Sequence, residues 1–291
     1  MYIQQKQLEN IDKVIQPGKA VIVYGPRRCG KTTLLKKMLE TVKEKYIFAN
    51  GEDINVQNYL ASRSIEKLKR FVGDKRLIVI DEAQKVENIG LNIKLIVDNI
   101  PGIKVIATGS SSFDLARQLG EPLTGRKYTL KMFPLAQLEL KQRETQAQTD
   151  VLLESRLIYG SYPEVVLMGD DSKRVLYLKE IAASYLYRDI LELEGIRHAD
   201  KLVRLLQLLA FQIGKEVSYN ELATQLGMSK NTVDKYLDLL EKSFVIFKLK
   251  GFSRNLRKEI SKNSRYYFYD TGIRNTPVSY THLTLPTKRI V

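Results

Sequence analysis

Residues 21–35, VIVYGPRRCGKTTLL, set a glycine-rich turn between an apolar run and an amphipathic one. Gly25, Gly30, Lys31 and Thr32 fit the spacing G-x-x-x-x-G-K-[ST], with Val21 to Tyr24 reading as a strand before it and Thr33 to Leu39 as a helix after it. Glycines let the backbone curl so that successive N–H groups face phosphate oxygens, and the helix adds the positive end of its dipole. Gly25, Pro26, Arg27, Arg28, Cys29, Gly30, Lys31, Thr32 and Thr33 are therefore the candidate nucleotide-binding set. Lys31 is expected to reach the β and γ phosphates and Thr32 to offer its hydroxyl to Mg²⁺. The Cys29 thiol, lying in the loop, is expected to react with a bulky reagent. A plain glycine turn would account for Gly25 and Gly30 but not for the Gly-Lys-Thr order.

Around this loop, short apolar runs alternate with helical periods over the first ~140 residues, the pattern of a parallel α/β sheet. Strands are predicted at Ala20 to Tyr24, Lys45 to Ala49, Arg76 to Ile80, Lys104 to Thr108 and Tyr128 to Met132. Helices are predicted at Thr32 to Glu44, Ser64 to Phe71, Ile89 to Ile100 and Ser112 to Leu119. The polar stretch KQRETQAQTD, 141–150, reads as a helix end and a linker, and helical periods follow it to about Gly214.

The stretch RLIVIDEAQ, 76–84, is an apolar strand ending in two carboxylates. A buried parallel strand delivers its C-terminal residues to the crevice where such sheets bind ligands, beside the phosphate loop. Asp81 is expected to hold Mg²⁺ together with Thr32, and Glu82 to orient and deprotonate an attacking water. In KVIATGSSS, 104–112, Thr108 or Ser110 is placed to polarise that water, while Ser111 or Ser112 suits a helix N-cap. Arg126, in LTGRKYTL, is a candidate for stabilising charge on a γ phosphate of its own or a neighbouring subunit; a solvated surface arginine is the alternative.

The whole chain has 291 residues, 44% hydrophobic and 27% charged, which suits a globular protein of two domains. Its net charge of +14 favours an anionic partner. That charge is uneven: residues 1–150 carry +8, 151–195 carry −3 and 196–275 carry +7. One cysteine excludes an internal disulfide and a cysteine metal cluster. With no long apolar stretch and no signal-like N-terminus, no membrane is expected and the cytoplasm is the default location.

Residues 217–252 read as a helix, a turn at Gly227, a second helix from about Ser229 and a period-two strand, the pattern of a winged helix. Lys230, Asn231 and Lys235 stand where bases are read, but Asp234, Asp238 and Glu241 oppose DNA there. Lys248, Lys250, Arg254, Arg257 and Lys258 in the wing make phosphate contact with DNA the better-fitting mode. A winged helix used for protein contacts is the alternative.

In order along the chain, GPRRCGKT (25–32), LIVIDEAQ (77–84), ATGSSS (107–112), LTGR (123–126), MFPLAQLE (132–139), GSYPEVV (160–166) and YLYRDIL (185–191) resemble a prokaryotic AAA-type P-loop ATPase family. The resemblance runs from about residue 1 to 275. It implies a five-stranded AAA core of order 5-1-4-3-2, then a helical lid, a winged helix and a C-terminal domain of unknown function with a nuclease-like fold. Lys31, Thr108, Ser110, Glu82 and Arg126 would be its catalytic residues, and Thr32 and Asp81 its metal ligands. The expected domains are 1–144 (ATPase), 145–214 (helical lid), 215–275 (winged helix) and 276–291, a tail expected to be non-native and poorly packed. ATP and Mg²⁺ are the expected ligands, with DNA and further copies of the chain as candidate partners. An ATP-gated DNA-binding or regulatory module with little turnover is the alternative function.

Overall fold

The computed structural model describes residues 2–110, 123–183, 199–251 and 264–278. The predicted helix at Ser112 to Leu119, the YLYRDIL stretch, the cations Arg254, Arg257 and Lys258 and the last 13 residues lie outside them. Two compact units divide the chain, Tyr2–Phe133 and the part from Pro134 onward.

The first unit comprises α1 (Gln7–Val14), β1 (Ala20–Tyr24), α2 (Lys31–Leu39), β2 (Tyr46–Asn50), α3 (Ile54–Leu60), α4 (Ile65–Val72), β3 (Leu77–Asp81), a 3-10 turn (Ala83–Lys85), α5 (Ile89–Asn99), β4 (Lys104–Gly109) and β5 (Lys127–Lys131). The five strands pair in parallel in the order β2-β3-β4-β1-β5, the order the resemblance implies. Side chains alternate across a sheet buried on both faces. Ile22, Ile78, Ile80, Val105 and Ala107 pack on α3, α4 and α5 through Leu60, Leu68, Ile93 and Ile96. Val21, Val23, Leu77, Val79 and Ile106 pack on α1 and α2 through Ile11, Leu34, Leu35 and Met38. Full burial of such a side chain contributes about 1.5–3 kcal/mol. The central strands β1, β3 and β4 therefore hold the layer, while β2 and β5 form its half-exposed edges.

Local chemistry sets the element ends. The helix predicted to Glu44 stops at Leu39. Thr41 and Val42 follow, and the Thr41 hydroxyl donates to the Met38 carbonyl at 2.8 Å, a local bond that competes with continued helix. α1 and α3 were not foreseen. Asp53 caps α3 by accepting the Asn55 N–H at 2.8 Å.

In the second unit the elements are α6 (Gln137–Leu140), α7 (Gln146–Tyr159), α8 (Pro163–Leu167), α9 (Asp171–Ala183), α10 (Ala199–Phe211), β6 (Glu216–Val217), α11 (Tyr219–Leu226), α12 (Lys230–Lys242), β7 (Ile246–Leu249), β8 (Ser264–Phe268), α13 (Thr271–Asn275) and a 3-10 turn (Thr276–Val278). The stretch read as a linker is thus helical from Gln146, because Thr145 and Gln148 form a reciprocal capping box. β6, β8 and β7 make an antiparallel sheet in that order. Leu202, Leu205, Leu206, Leu222, Val233, Leu237, Leu240 and Ile246 share one apolar cluster with Tyr162 and Ile273. Among the described residues no helix is long and apolar enough to cross a membrane.

The GSYPEVV stretch has a structural purpose. Asp270 is buried, caps α13 by accepting the Ile273 N–H at 3.1 Å and accepts the Ser161 N–H at 2.7 Å. Asn275 donates to the carbonyls of Leu157 and Ile158 at 2.9 and 2.7 Å, and Thr271 to that of Arg156 at 2.9 Å. The segment after β8 thus satisfies the last carbonyls of α7, which a helix end leaves without intrahelical partners. Burial pushes the Asp270 carboxyl up to about 6 against the backbone N–H groups of Ser161, Ile273 and Gly272. Folding then binds a proton between about pH 4 and 6, so the contribution of Asp270 to stability falls as the pH rises through that window.

Two predictions follow from this packing. Gly160 ends α7 at φ 77° and ψ −161°, and a Cβ there would lie 2.1 Å from Asp270 Oδ1. Gly160→Ala is expected to cost at least about 2 kcal/mol in urea unfolding; a wild-type midpoint would contradict the docking. Cys29 is fully buried in the α2-side core and burial pushes its thiol pKa up, which corrects the expectation of a reactive loop cysteine. A maleimide is expected to leave the native protein unlabelled and to label it in denaturant, whereas rapid native labelling would place Cys29 elsewhere.

Candidate functional site

Parallel pairing brings the C-terminal ends of β1, β3 and β4 to one edge, and every catalytic candidate except Arg126 collects there. The turn after β1 is held from its own side. Lys31, buried at the start of α2, donates its amine to the carbonyls of Gly25 and Pro26 at 2.9 and 2.7 Å. Gly30 precedes it at φ 98°, in the left-handed conformation glycine adopts without a steric cost. Gly25 has its own reason: a Cβ would lie 1.9 Å from the Met132 carbonyl oxygen at the end of β5. Arg28 and Thr33 are exposed and Arg27 is half-buried, so the guanidiniums border the loop. Cys29 turns its thiol into the core and leaves only its backbone to the cradle.

Asp81, at the end of β3, is the hub. Its Oδ2 accepts the Thr32 hydroxyl at 2.7 Å and its Oδ1 accepts the Thr108 hydroxyl. Thr108 Oγ1 in turn accepts the backbone N–H of Glu82 at 3.3 Å. Asp81 is 5% exposed, and a buried carboxylate is tolerable only when its oxygens are hydrogen-bonded. Facing oxygens of a threonine and an aspartate also suit Mg²⁺, which takes hard oxygen ligands and keeps several waters.

Glu82 sits one residue on, at φ 50° and ψ 43°, a left-handed conformation that a non-glycine residue adopts at a cost. This residue ends the strand direction and starts the 3-10 turn. Two residues that the sequence reading passed over support it. Gly51 donates its N–H to the Asp81 carbonyl at 2.7 Å, and a Cβ on Gly51 would meet the Glu82 carbonyl oxygen at 2.4 Å. Gln84 donates its amide to Glu82 Oε2 and, at 3.1 Å, to Ser110 Oγ. Gln5 is a third: it is buried and donates to the Cys29 carbonyl at 3.0 Å, tying the N-terminal segment to the loop.

Arg126 is not in this cluster. It precedes β5, and its carbonyl accepts the N–H of Ala20 at the start of β1. The loop leaves the other end of β1, so Arg126 lies the length of a five-residue strand away, about 16 Å. Its guanidinium instead pairs with Asp98 at 2.6 Å. A role on its own subunit's nucleotide is thereby corrected, which leaves a solvated surface arginine or a role toward a neighbouring subunit.

Of the cations read as a DNA-facing wing, Lys248 also turns out otherwise. Its amine donates to the Tyr219 hydroxyl at 3.1 Å, and Tyr219 shares a short hydrogen bond with Tyr266. Lys250, Lys230, Asn231 and Lys235 are exposed, as are Asp234 and Asp238 beside them.

Residues 17–141 match the family model described as "AAA domain", and residues 150–282 match one described as "Domain of unknown function (DUF8612)". The chain is 28% identical over 291 residues to an uncharacterized protein of Methanocaldococcus jannaschii, covering 94% of this chain and 65% of that protein. It is 26% identical over 272 residues to an uncharacterized protein of Haemophilus influenzae, covering 87% of this chain and 68% of that one. The chain thus spans about two thirds of the length of these relatives. Among solved structures, a Walker-type ATPase of Pyrococcus abyssi superposes with a TM-score of 0.58 at 16% identity, covering 95% of this chain and 96% of the other. Together with the parallel sheet and its loop, these likenesses establish an α/β P-loop NTPase fold, and residues 17–141 are similar to the AAA domain of P-loop ATPases.

Proposed function

We propose that the chain binds ATP and hydrolyses it to ADP and phosphate with Mg²⁺ as cofactor. The observation that carries this reading is the buried carboxylate of Asp81, shared between Thr32 of the loop and Thr108 of β4, with Glu82 immediately beyond it. In this reading the loop N–H groups and the Lys31 amine hold the β and γ phosphates, Lys31 exchanging its two loop carbonyls for phosphate oxygens. Mg²⁺, held by Thr32 and Asp81, would neutralise phosphate charge when bound. Glu82 takes a proton from water, whose oxygen bonds to the γ phosphorus as the bond to the bridging oxygen of ADP breaks. Thr108 and Ser110 hold the polar wall beside that water.

Arg126 fits a second copy of the chain. Standing at the opposite end of the sheet and paired at the surface with Asp98 among the described residues, its guanidinium would exchange that partner for a neighbour's γ phosphate, with a homo-oligomer as the working assembly.

For the second unit we propose a helical lid over residues 145–214 and a winged helix over 215–275, supported by α11 and α12 with the antiparallel β6-β8-β7 sheet. The +7 charge of residues 196–275 favours DNA as its partner, through Lys250, Arg254, Arg257 and Lys258. With Lys248 turned inward and carboxylates on α12, phosphate contact fits better than base reading. An ATP-gated module with little turnover is the competing reading of the same site.

Glu82→Gln is expected to keep ATP binding and lower turnover by about 10²- to 10⁴-fold, while Lys31→Ala loses binding and Asp81→Asn loses its magnesium dependence. Wild-type turnover by Glu82→Gln would favour the gated module. Arg126→Ala is expected to slow turnover at unchanged affinity, and mixing it with Glu82→Gln protein to restore part of the activity; no recovery on mixing would remove the role between subunits. Fluorescence anisotropy should find DNA binding that weakens steeply with salt and varies little with sequence. Its absence at low salt would leave protein contact as the use of the winged helix.

A further inference from the structure

The backbone of Glu82 is fixed from several sides. Its N–H is on Thr108 Oγ1, its carbonyl accepts the Lys85 N–H at 3.0 Å, and Gly51 packs against that carbonyl. What remains to be set is the side chain, and Gln84 sets it. A carboxylate only accepts hydrogen bonds, so the carboxamide nitrogen must face Glu82. That nitrogen carries two hydrogens, and its acceptors are Glu82 Oε2 and Ser110 Oγ.

This bridge has a direction. Ser110 is buried at the end of β4, and by accepting from Gln84 it keeps its own O–H to donate. The acceptor that the P-loop reading supplies on that side is the γ phosphate. An O–H drawn to an anion makes its oxygen a stronger acceptor, which tightens the amide bond behind it. We propose that Gln84 is a positioning residue that couples occupancy of the γ-phosphate position, felt by Ser110, to the orientation of the Glu82 carboxylate. The proposal rests on the hydrolytic reading and adds to it a link: the bond that orients the base is already formed and tightens when the third phosphate is present. Alanine at position 84 would leave Glu82 free to rotate and Ser110 without its link, although neither group is itself removed.

Single and double variants test this. Gln84→Ala and Ser110→Ala are each expected to lower kcat by roughly 10- to 100-fold, the usual cost of losing a group that orients a catalytic one. Fluorescence titration of Gln84→Ala should find ATP-Mg and ADP affinities within about twofold of wild type, since Gln84 reaches the nucleotide only through Ser110. The double variant is expected to be no slower than the slower single one, because both cut the same chain. Gln84→Met keeps length without donors and should behave as Gln84→Ala does, which guards against a variant that fails to fold. A wild-type kcat in Gln84→Ala and Gln84→Met, a product of the two single losses in the double variant, or a parallel loss of ATP affinity in the Gln84 variants would each overturn the proposal. A wild-type protein that binds ATP and releases no phosphate would overturn the hydrolytic reading and this proposal together. Wild-type turnover with an indifferent Gln84 would overturn this proposal alone.

Discussion

A buried carboxylate must find partners for its charge, and Asp81 finds them on two other elements. One oxygen takes the hydroxyl of Thr32 on α2 and the other that of Thr108 on β4. Each bond to a charged acceptor contributes more than a neutral one. The start of the loop helix and two adjacent strand ends are therefore locked to one point before any ligand arrives. Lys31 closes the loop on itself through the Gly25 and Pro26 carbonyls, so the cradle is shaped in advance. Such preorganisation lowers the cost of ordering a phosphate site at the moment of binding.

Close backbone approach is the second constraint at this edge. Gly25 lies against the Met132 carbonyl and Gly51 against that of Glu82, and neither position accepts a side chain. The second unit repeats the logic with different chemistry. Asp270 is buried against Ser161 and the start of α13, and Gly160 leaves it room. The GSYPEVV stretch thus serves packing, and its glycine answers to a carboxylate more than 100 residues later.

The sheet was legible because its strands are apolar on both faces and its loop has a specific spacing. Observed strand ends fall within one residue of those predicted at Ala20 to Tyr24, Arg76 to Ile80 and the other three strands. Helices were less legible where the signal is local. Thr145 and Gln148 spelled a capping box inside a stretch that looked like linker, and α1 has no side-chain N-cap to announce it. Site residues brought together by strand register escaped too. Gln84 stood in the quoted stretch, but its purpose depends on Ser110, 26 residues on, which only the β3–β4 pairing brings near. The direction of the Cys29 side chain, and the end of the sheet that Arg126 occupies, are three-dimensional facts that spacing does not carry.

The central claim is that Thr32, Asp81 and the loop form one magnesium-dependent phosphate site. The most direct test is titration of the wild-type chain with ATP in the presence of Mg²⁺ and again with the metal chelated. The account predicts saturable one-to-one binding that weakens at least about tenfold without the metal, a loss of about 1.4 kcal/mol. No binding, or an affinity indifferent to Mg²⁺, would contradict it.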